Sequence, residues 1–418
     1  MNIFRKCYCR TFQAAFRLAL PLLPYRRPQL VSGISRLPDI LRQHHCTRAL
    51  IVTDATITRL QLTLPLEQAL AKHDISFVFY DKTVANPTTV NVEEARKLYL
   101  RHACDAIIGF GGGSSIDCAK AMGARIAKPH QSLKKMKGIL KIRRRLPLLI
   151  ALPTTAGTGS EATLAAVITD SGSRHKYPIN DFSLIPDYAV LDPHFTVSLP
   201  PLLTATTGMD ALTHAIEAYI GHSTTRDTRR AAIKAVRLIF TSLEDAFRDG
   251  SNIRARRRML IASYYAGCAF TKSYVGYVHA IAHSLGGEYG IPHGLANSIL
   301  LPFVLEAYGT SVHEKLRQLA IAAGLADRHT PRKEAARRFI DAIHEMKARF
   351  GIGNTIPELQ KKDIKKLAHY ADKEANPLYP VPVLMNAREL ELLYCQFIET
   401  PPCPSAVSHY HKKKRGAL

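Results

Sequence analysis

The sequence predicts an α/β domain followed by an all-α domain. Between about residues 48 and 192, short β-rich runs alternate with helical patterns. After Pro200 the pattern changes to long amphipathic or apolar helices without convincing strands, and it continues to about residue 396. Because alternating strands and helices are typical of a largely parallel sheet covered by helices, we place the domain boundary near residues 195 to 200, in the SLPPLL segment.

The predicted strands are short runs rich in β-branched and aliphatic residues. They are ALIVT (49 to 53), ISFVFY (75 to 80), AIIGF (106 to 110), PLLIAL (147 to 152), AVITD (166 to 170) and YAVLD (188 to 192). In the second domain, RRAAIKAVRLIFTSLEDAFRD and the segment from Arg254 to Phe270 are examples of the helical pattern.

A basic, partly apolar stretch precedes the first acidic residue, Asp39. Arg17 and Pro21 interrupt it, so no apolar run approaches the roughly 18 to 20 residues that span a bilayer. Its lack of acids and its arginines are also features of a transit peptide and of an amphipathic helix at a membrane surface. We predict that residues 1–28 form a domain-edge extension that the chemistry does not need, with surface attachment as the alternative, and that residues 406–418 form a loose basic tail.

Composition indicates a globular protein and limits its partners. The 418 residues are 46% hydrophobic, and Lys plus Arg exceed Asp plus Glu by 23. Such a charge permits contact with nucleic acid, an anionic membrane or an anionic cofactor. The basic run from Lys134 to Arg145 has no aromatic residues to stack on bases, so a solvated surface is favoured over nucleic-acid binding. Eight cysteines without disulfide or zinc-finger spacing fit a reducing cytoplasm.

The segment VHAIAHSLGGEYGIPHGLAN (278 to 297) contains histidines that can converge on one metal or substrate. His279 and His283 are four residues apart, so they share one face of a predicted helix. The Gly-Gly pair and Pro292 mark a turn that can bring His293 back towards them.

A second pair of the same kind lies upstream, where Asp210 and His214 share one face of another predicted helix, whose start Thr206 and Thr207 indicate. One carboxylate with neutral imidazoles suits Fe(II) or Zn(II), whereas calcium or magnesium prefers oxygen ligands. Any single histidine could merely satisfy hydrogen bonds in a helical core. Two spaced pairs favour a shared ion.

A glycine-rich segment, AIIGFGGGSSIDCAKAMG, places Gly109 and Gly111 to Gly113 between a predicted strand and a helix that begins near Ser115. Consecutive glycines let the backbone approach a phosphate, and the N–H groups at a helix N-terminus attract its charge. The spacing is neither the dinucleotide fingerprint nor a P-loop, so a tight turn without a ligand remains the alternative.

A threonine-rich segment, LPTTAGTGSEAT (152 to 163), follows the next predicted strand. The hydroxyl groups of Thr154, Thr155, Thr158 and Ser160 can hydrogen-bond ribose, phosphate or a carboxamide, although an ordinary polar turn fits the same residues.

Together, FGGGSSID, PTTAGTGSE, the D-x3-H of GMDALTHAIEAY and the H-x3-H-x9-H of the histidine segment resemble the iron-containing, group III alcohol dehydrogenases. These belong with the glycerol dehydrogenases and dehydroquinate synthases. The motifs occur in the family's order between about residues 30 and 396. The resemblance implies a Rossmann-like NAD(P)-binding domain over residues 29–197 and a helical metal-binding domain over residues 198–405, the dehydroquinate synthase-like fold, with the reaction in the cleft between them.

The resemblance also assigns roles to individual residues. By this resemblance, the metal ligands are Asp210, His214, His279 and His293. The candidate catalytic residues are His283 and Phe270. His283 matches a histidine near the substrate in the family, and Phe270 matches an aromatic residue beside the nicotinamide. The candidate cofactor-binding residues are Asp54, Asn86, Gly111, Gly112, Gly113, Ser114, Thr154, Thr155, Thr158 and Lys176.

We therefore predict an NAD-dependent alcohol dehydrogenase or aldehyde reductase for a small alcohol or aldehyde, with NADP as the alternative cofactor. Iron is the expected metal and zinc the alternative, and a homodimer or larger homo-oligomer is expected. The metal would act as a Lewis acid on the substrate oxygen, and His283 would relay the hydroxyl proton. Asp54 would favour NAD by meeting the adenosine ribose, an assignment that depends on the family alone because Asp54 precedes the glycine loop.

Two other hypotheses remain at this point. A dehydroquinate synthase-like lyase would need a basic pocket for phosphate and carboxylates, and the histidine pattern favours the dehydrogenase branch. A non-enzymatic protein that binds nucleic acid or a membrane would depend on the net charge and the N-terminal stretch alone.

Overall fold

The structure, a computed structural model, describes residues 1–398, so the tail predicted over residues 406–418 lies outside it. The strands are β1 Gln29–Ser32, β2 Arg48–Val52, β3 Ser76–Tyr80, β4 Ala106–Gly111, β5 Gly138–Ile139, β6 Leu148–Pro153, β7 Ala165–Thr169, β8 Lys176–Asn180 and β9 Tyr188–Leu191.

The α-helices before the SLPPLL segment are α1 Ile3–Ala19, α2 Leu37–Gln43, α3 Ala55–Arg59, α4 Leu64–Ala71, α5 Thr89–Arg101, α6 Gly113–Ala127 and α7 Leu133–Met136. Those after it are α8 Pro201–Ile220, α9 Arg226–Phe240, α10 Leu243–Arg248, α11 Ile253–Ser273, α12 Tyr277–Tyr289, α13 His293–Tyr308, α14 His313–Ala322, α15 Arg332–Arg349, α16 Ile364–Ala375 and α17 Ala387–Tyr394.

A six-stranded parallel sheet with the order β1-β9-β6-β4-β2-β3 forms the centre of the first half. One of its two central strands, β4, is buried at every residue. Strands that are covered by helices on both faces have continuous apolar sequences. The run AIIGF therefore predicts a buried strand. The predicted α/β domain followed by helices is confirmed, because the described residues after Leu191 contain helices and no strand.

Two features of the sheets differ from the prediction. The run AVITD forms β7 of a second, three-stranded sheet with the order β5-β8-β7, and it pairs antiparallel with β8. Alternating burial along β7 shows that this strand has one core face and one more open face. The edge strand β1 was missed, since only one of its four residues, Val31, is buried and gives it little apolar pattern.

The predicted start of the helix carrying Asp210 was wrong. Helix α8 begins at Pro201, where a proline is favoured because the first helical N–H groups have no intrahelical partner. Thr206 and Thr207 lie inside the helix, and their hydroxyl groups donate to the carbonyl groups of Leu202 and Leu203. Threonine is therefore compatible here with the helix interior, where it bonds to the preceding turn.

The turn before His293 also differs from the prediction. Gly286 and Gly287 lie inside α12, which ends at Gly290, a left-handed residue with φ of 71°. Pro292 then caps α13, so His293 is the first residue of that helix.

The continuous helical stretch of 30 residues over His293–Ala322 is long and apolar enough to cross a membrane, but 61% of its most apolar window is buried inside the protein. It is a core helix.

A close backbone contact joins the threonine-rich loop to the helical half. Gly159 has a φ of 62°, and a Cβ atom added to Gly267 of α11 would lie 2.7 Å from the carbonyl oxygen of Gly159. Both partners in this contact are backbone, so neither can move aside as a flexible side chain would. Small residues at both positions let the loop and α11 touch.

We predict that Gly267→Ala destabilises the protein by about 1–3 kcal/mol, because an added methyl group forces apart two well-packed segments. Gly287→Ala is the control, since its Cβ meets nothing within 4 Å and it lies in helix α12. There alanine should stabilise the helix by about 0.5–1 kcal/mol relative to glycine. Urea denaturation measures both. Equal midpoints for Gly267→Ala and wild type would show that the contact is not tight.

Candidate metal centre and cofactor cleft

Three helices bring four ligand-type side chains together in the helical half of the protein. Asp210 and His214 come from α8, His279 from α12 and His293 from the start of α13. One ligand atom of each residue lies within 4.8 Å of those of the others, in the one such group found among the described residues. The spacing of each pair on its helix explains the convergence, because residues four apart lie on the same face.

The separations within this cluster suit a shared ion better than mutual hydrogen bonds. Asp210 Oδ1 lies 3.5 Å from His293 Nε2 and 4.0 Å from His279 Nε2, and Asp210 Oδ2 lies 3.9 Å from His214 Nδ1. His214 Nδ1 is buried and has no hydrogen-bond partner among the described residues. A buried polar atom without a partner is costly, and a divalent ion among these donors would satisfy it. The residues present therefore fit Fe(II) or Zn(II).

The protonation of the histidines fits the same interpretation. Burial lowers the pKa of His214, and burial lowers the pKa of His293 to about 4. For His279, burial and then the neighbouring histidines lower the pKa well below its usual value. Neutral imidazole is the form that binds a metal, because the ligand nitrogen must offer its lone pair.

Glu217, which the sequence analysis missed, orients His279. Its side chain is buried on α8 and accepts hydrogen bonds from the backbone N–H groups of Gly276 and Val278, each at 2.8 Å, at the start of α12. His279 Nδ1 lies 2.6 Å from Glu217 Oε2. Burial raises the pKa of Glu217, while the backbone donors oppose that shift. Both carboxylate oxygens already accept N–H groups, which favours the shared proton on His279 Nδ1. In that tautomer Nε2 is free to face the cluster.

Two further side chains complete the surroundings of the cluster. The side-chain amide of Asn297 lies 2.7 Å from Asp210 Oδ1 and 3.1 Å from His293 Nε2. Phe270 stacks on His214, with ring centroids 4.1 Å apart and an angle of 14° between the planes. The structure thus places Phe270 against a member of the cluster.

His283 lies beside the cluster but belongs to a different hydrogen-bonded group. It stacks on His293 with centroids 5.2 Å apart, and 41% of its side chain is open to solvent. Its Nδ1 lies 2.6 Å from Glu374 Oε1, and the hydroxyl group of Tyr379 donates to the same oxygen at 2.8 Å. Burial opposes charge on His283, but the Glu374 carboxylate outweighs it and raises the pKa of His283.

The glycine-rich and threonine-rich loops meet at the carboxyl ends of neighbouring strands. Gly111 ends β4 and Pro153 ends β6, and the two residues are paired across the sheet. Helix α6 begins at Gly113, two residues earlier than expected, and a Cβ atom added there would lie 2.9 Å from Thr158. The crevice beyond the carboxyl ends of parallel strands is the usual place for a ligand in an open α/β sheet. Of the predicted loop residues, Gly111 is the last of β4. The others lie in the two segments that follow β4 and β6, namely Gly112, Gly113, Ser114, Thr154, Thr155 and Thr158.

Asp54 lies beside the glycine loop. It follows β2, and its Oδ1 atom caps α3 by accepting the N–H groups of Thr56 and Ile57 at 2.9 and 3.1 Å. Its Oδ2 atom faces Ser115 Oγ at 3.4 Å. A carboxylate with one oxygen fixed in a helix cap presents its second oxygen in a defined direction.

Asn86 and Lys176 close the other side of this crevice. The backbone N–H of Asn86 donates to Ser114 Oγ at 3.3 Å, and Lys176 Nζ donates to Asn86 Oδ1 at 2.6 Å. Lys176 begins β8 of the second sheet. Its charge contributes to lowering the pKa of His293, so the two groups are close enough to interact. The structure thus brings Asn86 and Lys176 to the start of the helix that follows the glycine-rich loop.

The sequence offered a signal for some of the missed residues but not for others. Glu217 is seven residues after Asp210 and Asn297 is four residues after His293, so helical spacing alone places each on the face of a predicted ligand. Glu374 and Tyr379 are about 90 residues from His283 and stand at no helical spacing from a predicted ligand. Only the tertiary structure brings them to the cleft.

Comparisons with known proteins show the family of the chain. Residues 30–193 match the iron-containing alcohol dehydrogenase family, and residues 204–396 match the C-terminal part of the Fe-containing alcohol dehydrogenase family. The sequence is 36% identical to alcohol dehydrogenase 4 of Saccharomyces cerevisiae over 82% of this chain and 89% of the yeast protein.

Solved structures show the same fold. A 1,3-propanediol oxidoreductase superposes with a TM-score of 0.85 and 34% identity, covering 89% of this chain and 98% of that one. The sulfoacetaldehyde reductase of Bifidobacterium kashiwanohense, solved with NAD+, superposes with a TM-score of 0.80 and 28% identity, covering 90% of this chain and 99% of that one. The resemblance inferred from the motifs is confirmed, and the chain belongs to the iron-containing alcohol dehydrogenase family.

Proposed function

We propose that this chain is a metal-dependent alcohol dehydrogenase or aldehyde reductase that transfers a hydride between a small alcohol and NAD. The observation that carries the proposal is the cluster of one carboxylate and three imidazoles beside the glycine-rich and threonine-rich loops. Phe270 stacks on His214 and lies less than one helical turn after Gly267, where the threonine-rich loop touches α11. The contact between Gly159 and Gly267 therefore aligns the cofactor side with the metal side.

In this proposal Asp210, His214, His279 and His293 hold the ion, and Glu217 fixes the tautomer of His279. Iron is the proposed physiological metal, although zinc generally binds such ligands more tightly than Fe(II). When bound, the ion supplies Lewis acidity towards an alcohol or carbonyl oxygen, and the nicotinamide accepts or donates the hydride.

The chain itself has to move the hydroxyl proton. His283 is the proposed relay because it lies next to the cluster and is partly open to solvent. Its Nδ1 atom is also within hydrogen-bond distance of the Glu374 carboxylate. A proton taken up at Nε2 of His283 would be stabilised by Glu374 at Nδ1, as an orienting carboxylate stabilises an imidazolium. Phe270 is proposed to contact the nicotinamide through the part of its ring that does not cover His214.

The residues of the crevice are proposed to bind NAD. The N–H groups at the start of α6 would bind the pyrophosphate, as helix N-termini commonly do, and the close approach of Gly113 and Thr158 would let the two loops enclose it. Asp54 is proposed to accept hydrogen bonds from the adenosine ribose through its second oxygen. The NAD+ complex of the sulfoacetaldehyde reductase supports this cofactor, and the 1,3-propanediol oxidoreductase supports a small alcohol as substrate.

Two alternatives are weaker. A dehydroquinate synthase-like lyase is not favoured, since the similar proteins are alcohol dehydrogenases and propanediol dehydrogenases. A protein whose main role is binding nucleic acid would leave the buried cluster unexplained. The oligomeric state and a cytoplasmic location stay predictions.

We also propose that the outer face of α1 rests on an anionic lipid bilayer. Phe4, Tyr8 and Phe12 follow one face of this helix at four-residue spacing, and 83%, 61% and 39% of these residues are exposed. Leu18 and Leu22 extend the exposed apolar surface. No acidic residue precedes Asp39, and the chain has a formal charge of +23, so an anionic surface is favoured over a second copy of this equally basic segment.

The enzymatic proposal predicts that anaerobic reconstitution with Fe(II) gives alcohol-dependent NADH formation. His279→Ala should lose both the metal and this activity, and Glu217→Gln should weaken metal binding about 10- to 100-fold because the supporting hydrogen bond is weaker. His369→Ala, an exposed histidine on α16, is the control and should behave as wild type. Elemental analysis and absorbance at the NADH band measure these outcomes. Full metal content in His279→Ala would remove the assignment of the site.

The cofactor proposal predicts that wild type prefers NAD and that Asp54→Asn raises the NADP-to-NAD ratio of kcat/KM by about tenfold or more, since the charge that repels a 2'-phosphate is gone. Asparagine retains an oxygen for the cap of α3, so the helix should stay intact. The neighbouring Thr58→Ala is the control, because its hydroxyl group contacts only the backbone of Asp54. An unchanged ratio in Asp54→Asn would show that Asp54 does not meet the ribose.

The bilayer proposal predicts that the protein sediments with vesicles containing phosphatidylglycerol more than with pure phosphatidylcholine. Replacing Phe4, Tyr8 and Phe12 with serine should lower the vesicle affinity about tenfold or more through lost apolar burial. The control replaces Leu100 and Leu392, which are exposed elsewhere, with serine. Equal sedimentation of the triple variant and wild type contradicts the proposal. Loss of a dimer without any vesicle binding would identify a second copy as the occupant.

A further inference from the structure

The N-terminal helix α1 docks onto the helical half through polar side chains, although the matched family regions begin only at residue 30. Its inner face contains Cys9 and Gln13, which are buried. Arg5 makes two hydrogen bonds with Asp372, at 2.8 and 2.7 Å. Two parallel hydrogen bonds between a guanidinium and a carboxylate are strong and directional, so they fix the position of α1 on α16.

Helix α1 packs against the loop between α16 and α17, residues 376–386. Gln13 Nε2 donates to the carbonyl groups of Pro377 at 3.2 Å and Tyr379 at 2.7 Å. This loop lacks helix and strand, so its carbonyl groups are open to donors from other elements. The carbonyl group of Tyr379 also accepts from the N–H of Val381 at 2.8 Å. Gln13 is only 4% exposed. Hydrogen bonds are stronger where water is excluded, because the local dielectric constant is lower.

Arg10 extends the same contact along the loop. Its guanidinium donates to the carbonyl groups of Val381 at 2.7 Å and Pro382 at 2.8 Å, and it also donates to Gln13 Oε1 at 2.8 Å. Two side chains of α1 thus satisfy four carbonyl groups of the loop. Phe16 adds an edge-to-face contact with Tyr274, with centroids 5.2 Å apart.

From this loop the contacts lead directly to the cleft. The carbonyl group of Tyr379 accepts from Gln13, while the hydroxyl group of the same residue donates to Glu374 Oε1 at 2.8 Å. Glu374 Oε1 lies 2.6 Å from His283 Nδ1. One residue, Tyr379, therefore joins the N-terminal helix to the group next to the metal cluster.

We propose that Gln13 and Arg10 are positioning residues for the reaction, acting through the 376–386 loop on Tyr379, Glu374 and His283. This inference rests on the proposed function, in which His283 relays the hydroxyl proton. It differs from the expectation that residues 1–28 are not needed for chemistry. A displacement of about 1 Å can lower a rate about 100-fold even when its cause is far from the reacting atoms.

The experiment compares Gln13→Ala with Arg27→Ala, a matched control in the same N-terminal segment. Arg27 pairs with Asp227 and makes no hydrogen bond to the loop. Both variants lose one polar anchor of the segment. Gln13→Ala should lower kcat about tenfold while metal content and KM for NAD stay within about twofold, and Arg27→Ala should keep the wild-type kcat.

A double-mutant cycle with Tyr379→Phe separates positioning from general stability. If Gln13 acts through Tyr379, the two losses are not additive, because residues in one hydrogen-bonded network depend on each other. Gln13→Ala should then lower kcat little further when Tyr379→Phe is already present. Arg27→Ala and Tyr379→Phe should be additive. Hydrogen exchange should rise in residues 376–386 of Gln13→Ala and not in those of Arg27→Ala.

The outcomes decide between the proposals. Additive losses for Gln13→Ala and Tyr379→Phe, or unchanged exchange in residues 376–386, overturn the inference while leaving the proposed function intact. A wild-type protein that binds metal but reduces no NAD with any alcohol overturns the proposed function, and the inference with it.

Discussion

The structure depends on one buried carboxylate, Asp210, that faces three imidazoles at 3.5 to 4.0 Å without hydrogen-bonding to them. A buried charge needs a partner, and within residues 1–398 only the amide of Asn297 donates a hydrogen bond to this side chain. The orphaned Nδ1 of His214 has the same need. A divalent cation meets both needs at once, which explains why three helices converge on this point.

The surrounding fold supplies orientation rather than further ligands. Glu217 combines two roles, since its carboxylate accepts the free N–H groups at the start of α12 and holds His279 in one tautomer. The contact between Gly159 and Gly267 brings the threonine-rich loop against α11. Hydride transfer requires two bound groups in a defined orientation, and these two contacts favour such an orientation of the cluster and the crevice.

Local periodicity accounts for what the sequence could predict. Four-residue spacing identified Asp210 with His214 and His279 with His283, and continuous apolar runs identified β2, β4 and β6, because burial on both faces leaves that pattern. Edge strand β1 and the second sheet were missed or misplaced, since they are short or half-exposed. Glu374 reaches His283 from about 90 residues away, and no local pattern encodes such a contact. Capping rules misplaced the start of α8, where Pro201 rather than a threonine begins the helix.

Composition alone could not predict the contacts of the N-terminal segment. Its basic and apolar residues suggested an extension at the domain edge, with surface attachment as the alternative. In the structure, Arg5 and Arg10 bind Asp372 and loop carbonyl groups. The central claim, however, concerns the metal cluster, and anomalous X-ray diffraction from crystals grown anaerobically with Fe(II) tests it most directly. The account predicts one iron peak coordinated by Asp210, His214, His279 and His293, with His283 outside the coordination sphere. A peak elsewhere, or one with His283 as a ligand, would contradict it.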